Sequence, residues 1–270
     1  MKIIRFVSED NQTHYGLFDP GKSDVASIIQ GNVYDAFDIT PKQAKIKHYL
    51  APVEPINILA MGLNYRKHAD ETKMTYPDIP VVFIKATTSI IGHLSTVLLP
   101  ATGPEQVDYE GELAVVIGKK VKNIPPSGVM ECILGYTCAN DISARDWQLE
   151  KQKKQWARGK SFDTFCPLGP YLVTRDEVMD PHRLRIRTVL NGNILQDSNT
   201  ADMIFDIPAI ISDLSRSMTL MPGTVILTGT PEGVGFTRQP PIYLRHGDTI
   251  TVDIENIGQL TNSVEQEELI

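Results

Sequence analysis

Short apolar runs bounded by Gly, Pro or Asp recur along this chain and restrict its possible folds more than any other feature. They are rich in branched side chains and cover residues 81–84, 113–117, 171–173 and 225–227. Such runs are typical of β-strands, because branched side chains pack well on a pleated surface. Helical patterns are fewer and cover residues 65–73, 145–156 and 205–215. Because strands and helices do not alternate regularly, we predict an α+β fold that is mainly β rather than a doubly wound sheet.

The first fifty residues form a separate pattern of short apolar runs and turns. Runs at residues 3–7 and 14–18 favour strands, and the mixed segment at 24–37 is expected to be partly helical. Pro52 and Pro55 restrict the residues before them, which indicates an extended linker. We therefore predict a small sheet-containing N-terminal domain at residues 1–55 and a larger domain at residues 56–270.

Composition excludes several classes of protein. With 270 residues, 41% of them hydrophobic, the chain can bury a substantial core. Its net charge of −7 leaves no basic face for nucleic acid. No apolar run approaches the roughly 20 residues of a membrane-spanning helix, and the start lacks a signal-peptide pattern, so we expect a cytoplasmic protein with no membrane partner. The spacing of Cys132, Cys138 and Cys166 predicts buried free thiols.

Glu110 and Glu112 lie two residues apart where an apolar strand begins. Residues two apart in a strand point to the same side, so the two carboxylates are expected to converge. Away from water, such a pair needs a raised pKa on one member or a cation between them. The alternative is an exposed strand edge with two solvated acids. The entirely apolar continuation from Leu113 to Ile117 counts against that alternative.

A third acid, Asp141, stands where a predicted strand gives way to a predicted helix. As a helix N-cap it would have an ordinary structural role. As a ligand it would complete a set of three carboxylates that suits a hard cation such as Mg²⁺ or Mn²⁺. Zinc is disfavoured because no cluster of Cys and His accompanies these acids.

Three further segments carry side chains with possible chemistry. His68 and Glu71 are three residues apart, so on a helix the carboxylate can orient the imidazole as a general base, although a solvated helix face explains the local sequence equally well. Lys160 follows Gly159 without the earlier glycine that a P-loop needs, and it is either a cation for an anionic substrate or a surface lysine. Residues 227–236 form a Gly-rich turn whose N–H groups can approach a carboxylate.

Five motifs in one order make residues 50–265 resemble the fumarylacetoacetate hydrolase family. They are Gly62-Leu63-Asn64-Tyr65 with His68 and Glu71; Asp108-Tyr109-Glu110-Gly111-Glu112-Leu113; Asn140-Asp141-Ile142-Ser143-Ala144-Arg145-Asp146; Gly159-Lys160-Ser161-Phe162-Asp163; and Thr228-Gly229-Thr230-Pro231-Glu232-Gly233-Val234-Gly235. The resemblance implies a mixed β-roll or sandwich, usually dimeric, with a small N-terminal domain. We therefore expect a homodimer.

The resemblance also implies a role for each candidate residue. The expected ligands of Mg²⁺ or Mn²⁺ are Glu110, Glu112 and Asp141. Lys160 is expected to polarise the substrate, and His68 with Glu71 to activate water on a segment that orders over the substrate. The expected substrate contacts are Arg145, Gln148 and Thr230.

A 2-oxo acid can chelate such a metal, which then stabilises an enolate and supports several reactions. Our leading hypothesis is hydrolysis of a C–C bond in a 2,4-dioxo acid of the acylpyruvate or fumarylpyruvate type. The alternatives are decarboxylation of oxaloacetate and isomerisation of a 2-hydroxy-dienedioate. A non-catalytic binding protein on this fold competes with all three, but the acids, the lysine and the His-Glu pair are all present.

Overall fold

The computed structural model describes residues 1–21, 24–102 and 104–268. The prediction of a mainly β fold is confirmed, because strands cover far more of these ranges than helices do and each apolar run named above lies in a strand. In chain order the strands are β1 (Lys2–Ser8), β2 (Thr13–Phe18), β3 (Val25–Gly31), β4 (Phe37–Leu50), β5 (Ile58–Gly62), β6 (Val81–Lys85), β7 (Ile90–Ile91), β8 (Thr96–Leu99), β9 (Val107–Asp108), β10 (Gly111–Ile117), β11 (Ile133–Asn140), β12 (Ser143–Ala144), β13 (Cys166–Thr174), β14 (Arg185–Leu190), β15 (Asn193–Asn199), β16 (Val225–Leu227), β17 (Thr249–Ile254) and β18 (Gly258–Gln266).

The largest sheet joins the N-terminal strands to the rest of the chain. Its order is β2-β3-β4-β1-β13-β11-β10-β16-β5-β6, and β7 adds to β13. The connection between the two parts is made by β1, whose Lys2 and Ile3 pair with Val173 and Leu172 of β13. The partly helical character expected at residues 24–37 was wrong, because β3 forms there and pairs with β2 and β4. The domain boundary near residue 55 stays a prediction.

A second sheet has the order β15-β14-β17-β18-β8, and β9 pairs with β12 in a short ladder. Buried apolar side chains from both large sheets share one core, in which Leu113 and Val115 of β10 lie with Ile186 of β14 and Val252 of β17. The three cysteines are free and buried, as predicted. Their pKa values are raised by burial, which keeps the thiols protonated.

The α-helices of the described ranges are α1 (Arg66–Glu71), α2 (Trp156–Gly159) and α3 (Ile207–Ser217). The first and third agree with the predicted helices at 65–73 and 205–215. None of these helices is long and apolar enough to cross a membrane. The helix predicted at 145–156 was wrong as one element, because a five-residue π-helix at Trp147–Lys151 is separated from α2 by a turn with positive φ at Lys153 and Lys154.

The strand directions bring several loops together at one edge of the large sheet. β10 is antiparallel to both β11 and β16, and β16 is parallel to β5. The beginning of β10 therefore lies beside the ends of the other three strands. These ends lead into the segments that carry Asp141, Thr230 and His68, and Glu110 directly precedes the beginning of β10.

Candidate active site

Three buried carboxylates meet where β10 begins. Glu112 lies in β10, Glu110 directly precedes it, and Asp141 directly follows β11. Their ligand oxygen atoms lie within 4.8 Å of one another, and the three residues are 1%, 6% and 0% exposed. The alternative of an exposed strand edge was wrong, because β10 lies between two other strands. The alternative of a helix N-cap was wrong for Asp141, which stands between β11 and β12.

Lys160 connects two of these acids. Its Nζ lies 2.8 Å from Oε2 of Glu110 and 2.6 Å from Oδ2 of Asp141. It also donates a hydrogen bond of 2.8 Å to Oγ of Ser143. Because Lys160 is 2% exposed, the alternative of a surface lysine was wrong. Burial works to lower its pKa, but Asp141 and Glu110 outweigh that effect and raise it, so the ammonium stays charged.

The neighbouring cationic side chains compensate the charge of Glu110 but not that of Glu112. Burial opposes ionisation of Glu110, but the charges of Lys160 and Arg145 hold its pKa well below the usual range. Glu112 has the opposite balance, because burial and the negative charges of Asp141 and Glu110 raise its pKa well above the usual range. The cluster thus contains one carboxylate whose charge its surroundings do not compensate.

This imbalance fits a divalent cation. The three acids offer only oxygen atoms, which suit a hard cation such as Mg²⁺ or Mn²⁺. A cation between them would stabilise the ionised form of Glu112, which burial disfavours. Gly229 supports that carboxylate, since its φ of +97° accompanies an N–H that donates to Oε2 of Glu112 at 2.6 Å.

Arg145 pairs with the carboxylate oxygen of Glu110 that Lys160 does not contact. Its Nη2 lies 2.7 Å from Oε1 of Glu110 and 2.8 Å from Oδ2 of Asp108. Its Nη1 donates to Oε1 of Gln148 at 2.9 Å. Asp108 in turn accepts hydrogen bonds from the N–H groups of Gly235 and Phe236. This network ties the Gly-rich turn after β16 to the acid cluster.

His68 and Glu71 form the pair that their spacing predicts. Nδ1 of His68 lies 2.7 Å from Oε1 of Glu71 on helix α1. The other carboxylate oxygen of Glu71 accepts hydrogen bonds from Gly233 N at 3.0 Å and Thr237 Oγ1 at 3.2 Å. His68 is 8% exposed, so the alternative of a solvated helix face was wrong for this residue. The pairing leaves Nε2 as the ring nitrogen for chemistry.

The hydroxyl of Thr230 is engaged within the protein. It donates to the carbonyl of Gly111 at 3.0 Å and accepts from Nε2 of Gln196 at 2.9 Å. Since a hydroxyl has one proton, this side chain must rotate before it can donate to a substrate. A substrate contact by Thr230 therefore needs either that rotation or its backbone N–H.

Most of the candidate residues line one cavity of about 370 Å³. The polar side chains of its wall are those of His68, Thr72, Glu110, Arg145, Gln148, Lys154, Lys160 and Thr230. The apolar part includes Met61, Leu63, Met74, Phe83, Trp156 and Phe236. Glu71 and Asp141 do not line the cavity but contact His68 and Lys160, which do, and the carboxylate of Glu112 lies within 4.8 Å of that of Glu110. The structure therefore brings all nine candidate residues to one site.

Lys85 is a member of the cluster that the sequence did not reveal. Its Nζ lies 2.5 Å from Oδ1 of Asp141, and the residue is 1% exposed. On β6 the buried positions are Phe83 and Lys85, whereas the residues between and before them are exposed. The continuous apolar run at 81–84 hides this alternation, so the sequence gives no sign that the strand directs a lysine inward.

Comparison with protein families gives one match that covers most of the chain. The model described as "Fumarylacetoacetate (FAA) hydrolase C-terminal" matches residues 57–265. A fumarylacetoacetate hydrolase domain-containing protein 2 homolog of Dictyostelium discoideum is 47% identical over 232 residues, which cover 83% of this chain and 75% of the relative. A human protein named as a mitochondrial oxaloacetate tautomerase is 48% identical over 217 residues, covering 80% and 69%.

Solved structures agree with these sequence comparisons. The crystal structure of 5-carboxymethyl-2-hydroxymuconate delta-isomerase from Mycobacterium smegmatis is 39% identical and superposes with a TM-score of 0.87. That match covers 99% of this chain and 100% of the other. The fold, including its N-terminal strands, is therefore that of the matched structure.

Proposed function

The chain belongs to the fumarylacetoacetate hydrolase family of enzymes, and from that premise we propose that it interconverts the keto and enol forms of a small 2-oxo acid such as oxaloacetate. One observation carries the proposal: His68, held by Glu71, lines the same cavity as Glu110 and Lys160. A tautomerase needs a base near the carbon and a positive charge near the oxygen. The names of the human and mycobacterial relatives support isomerisation, which our sequence analysis gave with decarboxylation as an alternative to C–C hydrolysis.

The proposed metal ligands are Glu110, Glu112 and Asp141, with Mg²⁺ or Mn²⁺ as the ion. Bound there, the cation would supply Lewis-acid polarisation of the 2-oxo group. The all-oxygen donor set and the uncompensated carboxylate of Glu112 support this assignment.

In the proposed reaction, the substrate carboxylate is held by Arg145, Gln148 and the Gly-rich turn that contains Thr230. Nε2 of His68 takes a proton from C3, since Nδ1 is bound to Glu71. The electron pair of that C–H bond forms the C2–C3 double bond, and the carbonyl pair moves onto the 2-oxo oxygen. The Lys160 ammonium stabilises the charge there. A proton from solvent then adds to that oxygen and completes the enol, His68 returns the proton it took to solvent, and the reverse sequence restores the ketone.

Hydrolysis of a 2,4-dioxo acid is a second candidate that the same histidine supports. If Nε2 of His68 takes its proton from water, the resulting hydroxide can add to the 4-carbonyl, and the C3–C4 bond then breaks. Decarboxylation of oxaloacetate requires no water activation and leaves the His68–Glu71 pair without a role. The arrangement of the pair therefore favours tautomerisation and hydrolysis over decarboxylation.

The experiment measures enol disappearance by ultraviolet absorbance, with oxaloacetate and acetylpyruvate as parallel substrates. Metal-stripped protein is assayed before and after addition of Mg²⁺ or Mn²⁺, and pyruvate release is measured in the same samples. Metal-restored enol loss without pyruvate is the expected result. Pyruvate from acetylpyruvate would establish hydrolysis, and pyruvate from oxaloacetate alone would establish decarboxylation. Rates equal to the protein-free blank would reject the tautomerase.

We also propose that the protein forms a homodimer through the β6 edge of the large sheet. This strand is the last in the sheet order, and its Val82 and Ile84 are 41% and 58% exposed. An edge strand with exposed apolar side chains is a template for association. A second copy of the chain would cover both the side chains and the free backbone edge.

A further inference from the structure

Four charged residues of the described ranges line the cavity, and Lys154 is the one that lies outside the buried ion-pair network. Arg145, Lys160 and Glu110 also line the cavity, but ion pairs join all three. Lys154 lies in the exposed turn between the π-helix and α2. In the parts of the chain that the structure describes, no carboxylate lies within ion-pair distance of its Nζ. A cation therefore faces the cavity without a partner from the protein.

The backbone places Lys154 there at an energetic cost. Lys153 and Lys154 have φ values of +49° and +63°, in the left-handed region that side chains with a Cβ disfavour. The turn is closed by hydrogen bonds from Lys153 N to the carbonyl of Glu150 at 3.1 Å and from Gln155 N to that of Gln152 at 2.9 Å. Glycine would form this turn with less strain, so a lysine at position 154 needs another explanation.

We propose that Lys154 binds a second anionic group at the far end of the substrate. The inference rests on the proposed function, which places the 2-oxo acid end against Glu110, Lys160 and Arg145. The opposite end of the ligand then points away from this network, where Lys154 supplies the remaining charge. Lys154 is thus a specificity residue that selects 2-oxo acids with a distal carboxylate over those with a neutral end.

The test compares two substrates that differ at that end. Oxaloacetate has a distal carboxylate, whereas acetylpyruvate ends in a methyl ketone. In metal-loaded protein, Lys154→Met is expected to raise the KM for oxaloacetate about fivefold, as befits a solvent-exposed ion pair, without changing kcat. The KM for acetylpyruvate stays unchanged. Added salt should reduce the wild-type preference for oxaloacetate and have no such effect on Lys154→Met.

Lys153 offers a matched control. It is also an exposed lysine with positive φ, but it does not line the cavity. Lys153→Met should leave both KM values unchanged, and Lys154→Arg should restore most of the preference for oxaloacetate. An equal rise in both KM values after Lys154→Met, or no rise in either, would overturn the proposal.

Direct binding separates this inference from the proposed function. Pyruvate and 2-oxoglutarate share the 2-oxo acid end, and only the second has a distal carboxylate. Their binding to metal-loaded protein can be followed by tryptophan fluorescence, because Trp156, one of the two tryptophans of the chain, lines the cavity. One outcome is an inactive enzyme to which 2-oxoglutarate still binds more tightly than pyruvate and in which Lys154→Met removes that difference. Such a result would support the Lys154 subsite and reject only the proposed tautomerase activity. Absence of any preference in the wild type would reject the subsite whether or not the enzyme is active.

Discussion

The backbone N–H of Gly229 donates to the carboxylate of Glu112 at 2.6 Å. Within the ranges that the structure describes, no cationic side chain forms an ion pair with Glu112. One neutral hydrogen-bond donor is modest support for a buried negative charge next to two other acids. Ionisation of Glu112 is therefore costly unless a cation binds next to it.

Neutral variants of the two glutamates should have opposite effects on the metal-free protein. Glu112→Gln keeps an acceptor for Gly229 and removes the uncompensated charge, so thermal stability should stay equal or rise. Glu110→Gln leaves Lys160 and Arg145 short of a partner and should lower the free energy of unfolding by about 3 kcal/mol. Calorimetric melting curves of stripped protein measure both effects.

The same two variants should both lose the increase in melting temperature that Mg²⁺ or Mn²⁺ gives the wild type. If Glu112→Gln keeps that metal-induced shift, the proposed metal site is wrong. If it instead destabilises the metal-free protein as strongly as Glu110→Gln does, the charge of Glu112 is compensated in a way that these contacts do not explain.

The orientation of His68 by Glu71 should be required for turnover. His68→Gln is expected to lower kcat about 10²- to 10⁴-fold, the usual contribution of a general base. Glu71→Gln keeps the side-chain shape but weakens the contacts to the imidazole, so its loss should be smaller and should fall on kcat rather than KM. Asp70→Asn changes an exposed neighbour on the same helix that bonds Tyr76, and it serves as the control. A control that loses as much activity as Glu71→Gln would point to general damage to α1.

Local sequence patterns predicted much of the site because they act within a few residues. The two-residue spacing of Glu110 and Glu112 brought their carboxylates together at the start of β10, and the three-residue spacing of His68 and Glu71 did the same on α1. Motifs in a fixed order then joined these segments to Asp141, which is distant in sequence. The apolar runs predicted the strands for the same local reason.

Features that depend on distant partners escaped prediction. Lys85 reaches Asp141 across 56 residues, and Asp108 meets Arg145 across 37. The pairing of β1 with β13 joins segments about 170 residues apart, so no local sequence pattern predicts it. The π-helix and the left-handed turn at Lys153 and Lys154 also replaced a predicted continuous helix, since the sequence there has no glycine or proline to mark the break.

The β6 edge should control the oligomeric state. Ile84→Asp places a charge on the exposed apolar edge and should convert a dimer into monomers in sedimentation velocity experiments. Ile194→Asp is the matched control, because Ile194 is 52% exposed on β15, one of the two edge strands of the other large sheet. A wild-type monomer, or a dimer that survives Ile84→Asp and dissociates with Ile194→Asp, would reject the proposed interface.

His93 should make the fold less stable in mild acid. Burial lowers its pKa to about 4, and its Nδ1 accepts a hydrogen bond from Thr261 N at 3.1 Å. The unfolded chain, with a histidine pKa near 6.5, binds a proton before the folded protein does. Stability from this residue is therefore complete above about pH 6.5 and declines as the pH falls toward 4. His93→Asn retains an acceptor but cannot titrate, so its melting temperature should fall less between pH 7 and pH 4.5. Parallel pH profiles for the two proteins would show that His93 is not responsible.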